Sequence, residues 1–276
     1  LKQKTEKLLR NSLKNKLLIN LSIYKALQLK RFCYFRELKF KSMPENKVAY
    51  ITGGTKGIGF GIARILLENG ISVAFSGRKR DDVEKAEEDL KKYSENVLGI
   101  VSDVRNLESE KEAVKYTVAK FGRLDFVIAN AGLGIFKPVD ELSAQEWNDM
   151  IETNLTGVFY TLKASVEELK KTEGYYITVS SLAGANFFEN GTGYNASKFG
   201  VVGFTQAAMI DLRKYNIKST VIMPGSVATN FNGNIPSEKD SWKIQPEDMG
   251  NLVLDILKMN PRVLPSKIEF RATKPA

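Results

Sequence analysis

From residue 47 onward, short apolar runs alternate with longer amphipathic stretches, and that alternation leaves the chain very few folds. Residues 47–52, 71–76, 97–101, 125–129, 175–180 and 218–223 read as strands, and 268–271 as an edge strand. Between them, 58–69, 81–93 and 107–121 read as helices. Gly70 fits a helix stop, and Val83, Ala86 and Leu90 fall at helical spacing. Ser143 and Glu146 form a capping box opening a helix that is expected to break and resume before Leu169. A further helix carries Tyr194 towards Tyr215, and Pro246 starts the last one. Buried strands alternating with helices imply a three-layer, doubly wound parallel sheet with right-handed crossovers. No Pro/Gly/Ser-rich linker or internal repeat interrupts 47–276, so residues 43–276 are read as one domain.

The turn after the first strand is Thr52-Gly53-Gly54-Thr55-Lys56-Gly57-Ile58-Gly59. Gly53, Gly57 and Gly59 let the backbone bend sharply and approach a pyrophosphate. The helix that follows offers free N–H groups and a positive dipole end. The second strand ends Ser76-Gly77-Arg78, where many NAD enzymes place an acid for the ribose 2′-OH. Here Arg78 takes that place and Lys56 lies in the glycine turn. Two cations there suit a 2′-phosphate, so NADP(H) is expected over NAD(H).

The chain has no histidine, which excludes chemistry that depends on a His base. Acid–base work falls to Tyr, Lys or carboxylates. Tyr194 and Lys198 are four residues apart, about one helical turn, and leave the same helix face. A nearby ammonium lowers a phenol whose free pKa is about 10. Ser181 lies thirteen residues upstream. The one cysteine, Cys33, rules out an intramolecular disulfide and a Cys/His zinc site, and fits a reducing, cytoplasmic setting.

The net charge of +9 is concentrated at one end. Residues 1–42 hold twelve Lys or Arg against two acids, +10, whereas the remaining 29 bases and 30 acids give −1. The core is therefore not expected to bind nucleic acid. Residues 1–42 read as a basic extension outside the fold. Three readings of it stay open: sequence upstream of a start at Met43, a presequence, or an amphipathic arm for membrane or nucleic acid. No stretch approaches the roughly 20 apolar residues of a membrane span.

Taken in order, these residues resemble the short-chain dehydrogenase/reductase family over nearly all of 46–271, with a likeness to its NADP-dependent 3-oxoacyl-acyl-carrier-protein reductases. Residues 52–59 match its cofactor loop, and Asp103-Val104 its adenine-contacting pair. Ala129-Asn130-Ala131-Gly132 matches its NNAG segment with Ala for the first Asn. Asn154, Ser181, Tyr194 and Lys198 match its catalytic tetrad, and Pro224-Gly225 with Val227 and Thr229 the segment at the nicotinamide end. The resemblance implies a Rossmann-like sheet of about seven strands and hydride transfer between nicotinamide C4 and a carbonyl carbon. By the same resemblance Tyr194 is the acid/base, and Lys198 lowers its pKa and binds the nicotinamide ribose. Ser181 bonds the substrate oxygen, and Asn154 holds a water that resupplies protons. A homodimer or homotetramer is also implied, paired through the helices near Ser143 and Tyr194.

The substrate side is less marked. Phe136, Phe187, Phe188, Phe231 and Trp242 are candidates for an apolar wall, and the span from Val227 to Pro246 is too short for a large lid. Such a cleft suits a ketone or a 3-oxoacyl thioester. An alcohol dehydrogenase working oxidatively and an NADPH-binding regulator without turnover are the alternatives.

Overall fold

A computed structural model describes residues 46–274; the basic extension at 1–42, with Cys33, lies outside the described residues. Seven strands form one parallel sheet: β1 (Val48–Thr52), β2 (Ser72–Gly77), β3 (Val97–Val101), β4 (Phe126–Ala129), β5 (Tyr175–Val179), β6 (Lys218–Pro224) and β7 (Lys267–Phe270). Their spatial order is β3-β2-β1-β4-β5-β6-β7. The helices are α1 (Gly57–Glu68), α2 (Arg80–Lys91), α3 (Leu107–Phe121), α4 (Ala144–Ile151), α5 (Gly157–Thr172), α6 (Thr192–Leu212) and α7 (Pro246–Lys258).

β1, β4 and β5 are buried along their whole length, as expected for strands covered on both faces. On one face α3, α5 and α6 pack Val114, Leu162, Val201 and Leu212 against Tyr50, Val127, Tyr176 and Val221. On the other, α1 and α7 approach closely. A Cβ on Gly250 would stand 2.6 Å from Ile65, and one on Gly61 2.5 Å from the Pro246 carbonyl carbon. The amino ends of β1 and β4 are tied together by the buried Asp125. It accepts from Lys47 (2.6 Å), from Arg123 (2.6 Å) and from the Val48 N–H (3.0 Å). The order of the sheet reverses between β1 and β4, and a crevice opens at the carboxyl ends of those strands.

The expected break in the middle helix does not occur. α4 runs into a π-helical turn, Glu152–Thr156, and continues as α5, with the Gly157 N–H bonded to the Glu152 carbonyl. One extra residue in the turn lets the helix bulge without ending, and such bulges are frequent at functional sites. Asn154 sits in this turn.

Candidate active site

A cleft of about 1390 Å³ runs along the carboxyl ends of the strands. At one end lies the glycine turn. Gly53 (φ 66°) and Gly57 (φ 58°) take left-handed backbone, which glycine adopts without strain. The N-cap of α1 is Lys56, with no side-chain cap and no acid in the first turn. The first N–H groups of α1 are thus free for an anion, and the donors fit a pyrophosphate. Thr55, Lys56, Ile58 and Arg78 line the cleft here, and both cations are exposed. Gly59 does not line it. A Cβ there would lie 2.6 Å from Asn130 Nδ2, so this glycine serves the packing of α1 against the turn rather than an approach to phosphate.

Asn130 fastens the turn to β4. Its Nδ2 donates to the carbonyls of Thr52 (3.0 Å) and Gly53 (3.1 Å). Thr52 Oγ1 in return accepts from the N–H groups of Asn130 and Ala131 (3.0 and 3.1 Å). Ala129 is buried in β4 and takes no part, so the Asn-to-Ala departure leaves this buckle complete.

Asp103 and Val104 line the cleft after β3. Arg105 grips the Asp103 carboxylate, with Nε 3.1 Å from both oxygens and Nη2 2.7 Å from Oδ2. This guanidinium, with Arg78 further off, holds Asp103 below the usual carboxylate range. Arg105 also lines the cleft and carries no signal in the sequence beyond its place after the Asp-Val pair.

At the other end stand Ser181, Tyr194 and Lys198, all lining the cleft, with Pro224, Gly225, Val227 and Thr229 opposite. Thr229 reaches back to the glycine turn, where a Cβ on Gly57 would meet it at 3.3 Å. Tyr194 and Lys198 leave α6 on one face, and the ammonium lies 5.7 Å from the phenol ring centre. Lys198 Nζ donates to the Val179 carbonyl at 3.0 Å. Ser181 Oγ accepts from Ala183 N (3.1 Å) and caps the short 3-10 turn Leu182–Gly184.

Asn154 lies behind the cleft, not in it. Its Oδ1 accepts from Leu133 N (2.8 Å), and its Nδ2 donates to the Leu133 carbonyl (2.8 Å) and to Ser197 Oγ (2.9 Å). The side chain is committed to joining the π turn to α6. Gly132 passes close by: a Cβ there would stand 3.2 Å from Asn154 Oδ1 and 3.6 Å from Lys198 Nζ. Ser180 and Asn195, neither singled out by the sequence, complete the frame. Ser180 Oγ donates to the Lys198 carbonyl (3.0 Å), and Asn195 Nδ2 to the carbonyls of Ala183 (2.6 Å) and Asn186 (2.7 Å).

The expected lowering of the phenol by Lys198 is reversed in this structure. Burial raises the Tyr194 pKa to about 12, and the opposing pull comes from Ser181. Burial lowers the Lys198 pKa to about 8. Both shifts disfavour charge in a dry pocket. Of the expected aromatic wall, Phe136, Phe188, Phe231 and Trp242 line the cleft. Phe187 does not: it is 84% exposed and stacks on Phe199, 5.6 Å centre to centre. Arg271 and Lys274, past the end of β7, also line the cleft and carry no signal in the sequence.

A doubly wound sheet with a free helix N-terminus at its switch point, leading to a buried Tyr–Lys pair, defines a dinucleotide-binding α/β enzyme. A family model, short chain dehydrogenase, matches residues 47–240. The chain belongs to this short-chain dehydrogenase/reductase family and is an oxidoreductase acting on CH–OH or C=O groups. It is 32% identical over 227 residues to an uncharacterized oxidoreductase of Staphylococcus aureus, covering 82% of this chain and 97% of that protein. It is 33% identical over 221 residues to trans-4-hydroxycyclohexanecarboxylate dehydrogenase of Sinomonas cyclohexanicum, covering 75% and 84%. The alcohol dehydrogenase of the archaeon Thermococcus sibiricus, solved with 5-hydroxy-NADP, superposes with a TM-score of 0.78 at 34% identity, covering 83% and 99%.

Proposed function

We propose that this enzyme interconverts a ketone and a secondary alcohol with NADP(H), using Tyr194 as acid and base. The observation that carries the reading is the cleft itself: it starts at an uncapped helix end flanked by Lys56 and Arg78 and ends at Tyr194, Lys198 and Ser181. The nicotinamide supplies or takes up the hydride. The chain's own residues bind, orient and move protons. The α1 N-terminus, with Gly53, Gly57 and Thr55, holds the pyrophosphate. Lys56 and Arg78 clamp the 2′-phosphate, and Asp103, Val104 and Asn130 to Gly132 line the adenosine half. Pro224, Gly225, Val227 and Thr229 flank the nicotinamide.

Ser181 donates to the substrate oxygen, and Tyr194 gives that oxygen a proton as it turns into an alcohol. With a pKa of about 12, Tyr194 carries its proton throughout the neutral range, as an acid must. Lys198 binds the nicotinamide ribose and stabilises the phenolate left behind. Asn154 fixes the π turn against α6, so that the proton path behind Lys198 keeps its shape.

The test follows loss of nicotinamide absorbance across a panel of ketones and 3-oxoacyl thioesters. Wild type should turn over at least one, and Tyr194→Phe should bind NADPH yet lose about 10²–10⁴-fold in turnover. Retained turnover would refute the role of Tyr194. Arg78→Ala should weaken NADPH far more than NADH, and equal losses would end the case for NADP. A second reading is oxidation in the cell, favoured by two relatives named as dehydrogenases of alcohols.

Self-association belongs to the same proposal. Phe159 on α5 and Phe199 and Ile210 on α6 present exposed apolar surface, which suits a homodimer or homotetramer. Among the described residues no helix is long and apolar enough to cross a membrane.

A further inference from the structure

Three phenylalanine rings from three separate loops converge on the Tyr194 phenol. Phe136, from the segment between β4 and α4, meets it edge-on at 5.3 Å and 83°. Phe231, from the segment between β6 and α7, lies 5.8 Å away at 54°. Phe188, from the segment between β5 and α6, lies 6.5 Å from Tyr194 and 5.6 Å from Phe136.

Glycines let these rings in. A Cβ on Gly134 would stand 2.7 Å from the Phe231 ring and 3.0 Å from Phe136. A Cβ on Gly191 would stand 2.8 Å from the Phe188 ring. The Lys137 N–H donates to the Asn190 carbonyl at 3.0 Å and ties the loops of Phe136 and Phe188 together. Behind them lies an apolar floor of Met150, Ala183 and Tyr194 packed with Leu133, Ile135 and Leu142. The rings are thus seated, yet Phe136 remains 38% and Phe188 46% exposed, and both line the cleft. Their uncovered area is apolar, and it surrounds the group that would protonate the carbonyl.

We propose that the substrate is a cyclic ketone, or the matching cyclic alcohol, whose ring lies in the cleft against this aromatic wall with its ring carbonyl at Tyr194. This rests on the ketone–alcohol reading above and names its substrate class. Rigid aromatic walls favour a ligand that presents broad faces and edges at ring-contact distances. A ring arrives with its bonds already fixed, whereas an open chain must freeze several rotors in the same space. The reaction balances as before. The ring carbonyl carbon gains a hydride and its oxygen gains the Tyr194 proton. NADPH leaves as NADP⁺, and water resupplies the phenol.

The experiment uses the full chain with NADPH and two pairs of ketones matched in carbon number: cyclohexanone with 2-hexanone, and 2-tetralone with 2-decanone. For each pair the ratio of kcat/KM, cyclic over open-chain, is measured. A ratio of about ten or more is expected, larger for the second pair. Phe231→Ala and Phe188→Ala should bring the ratio towards one. A ratio is indifferent to the fraction of folded enzyme, so partial misfolding of a variant does not blur the result.

Open-chain ketones turned over as well as cyclic ones, in a reaction that Tyr194→Phe abolishes, would overturn the cyclic substrate and leave the ketone–alcohol reading standing. Variants that lower both rates equally would also overturn the role of the aromatic wall. Failure of every carbonyl and every alcohol would overturn both.

Discussion

Two buried polar clusters flank the sheet's carboxyl edge, and they differ in one respect. The first surrounds Glu110, on α3 and completely buried. Its Oε1 accepts from Tyr50 (3.1 Å) and Ser102 (2.7 Å), and its Oε2 from Thr161 (3.0 Å); Tyr50 also reaches Ser76 at 3.1 Å. This cluster joins β1, β2, the end of β3, α3 and α5, and its polar groups meet one another. The second holds Asn154, Ser197, Lys198, Tyr194 and Ser181. Its rear half is as closed as the first, with Asn154 satisfied by Leu133 and Ser197. Its front half opens into the cleft, where Tyr194 and Lys198 stand with bonding capacity to spare. A buried polar group with its valences spent holds a shape; one with a valence facing a cleft can act on what enters.

The contrast breaks most sharply at the two buried ionisable groups. Lys198→Met removes a desolvated ammonium and keeps its bulk. Stability should hold or rise, because a buried charge with one carbonyl partner is costly. Turnover should fall by about 10²–10⁴-fold, and the assay is kcat beside a denaturant melt. A large loss of stability with specific activity intact would make Lys198 a scaffold residue and erase the distinction.

In the closed cluster the outcome should invert. Glu110→Ala removes the acceptor that Tyr50, Ser102 and Thr161 share, leaves them only Ser76, Ser109 and the Gly157 carbonyl, opens a buried void, and should cost about 2–4 kcal/mol of unfolding free energy. Specific activity of the folded fraction should stay within about threefold. Glu110→Gln keeps most of the bonds without the charge and should cost far less at neutral pH. Burial raises the Glu110 pKa above its ordinary value of 4.5. A raised carboxyl contributes stability that is fully present below that ordinary value and is lost as pH rises through the folded one. The stability difference between wild type and Glu110→Gln should therefore move in favour of Gln as pH climbs. A difference that ignores pH would mean that burial leaves the Glu110 pKa the same in the folded and unfolded chain.

The open cluster carries its own pH signature. With the Lys198 pKa at about 8, the ammonium is intact below that value and lost above it. For carbonyl reduction, kcat/KM should be flat up to about pH 8 and then fall by about tenfold per unit, if one proton controls the step. A profile flat to pH 10 would remove Lys198 from proton delivery.

Why one cluster was legible in the sequence and the other was not follows from the same contrast. Tyr194 and Lys198 are spaced by a helical turn, and the glycine turn announces itself through residue types with special backbone needs. Strand and helix periods fixed the sheet to within a residue or two at most ends. Glu110, by contrast, sits in Leu107-Glu108-Ser109-Glu110-Lys111-Glu112. That run reads as a solvated helical face, and only the arrival of Tyr50 and Thr161 from other elements makes it a core. Arg105, Ser180 and Asn195 carry no signal in the sequence for the same reason: their partners are set by topology. The π turn is silent in the sequence because Glu152-Thr153-Asn154-Leu155-Thr156 carries neither Gly nor Pro to mark it. Phe187 is a candidate for the wall on residue type alone; it stacks instead on Phe199, and neither lines the cleft.

The smallest effect tests whether the rear half of the open cluster governs the front. At Gly132 a methyl group would stand 3.2 Å from Asn154 Oδ1 and 3.6 Å from Lys198 Nζ. The first distance is tighter than ordinary packing, so a few tenths of an ångström must be found. Asn154 is held by three hydrogen bonds, so relief comes from a shift of residue 132 away from it and towards Lys198, whose long stem and single partner give way. Gly132→Ala should therefore melt close to wild type while kcat drops about three- to tenfold, as small misplacements at a reacting centre do. An unchanged kcat would show that Lys198 tolerates displacement. A lowered melting point with kcat intact would show that Asn154 gave way first, and the frame, not the ammonium, would then be what Gly132 protects.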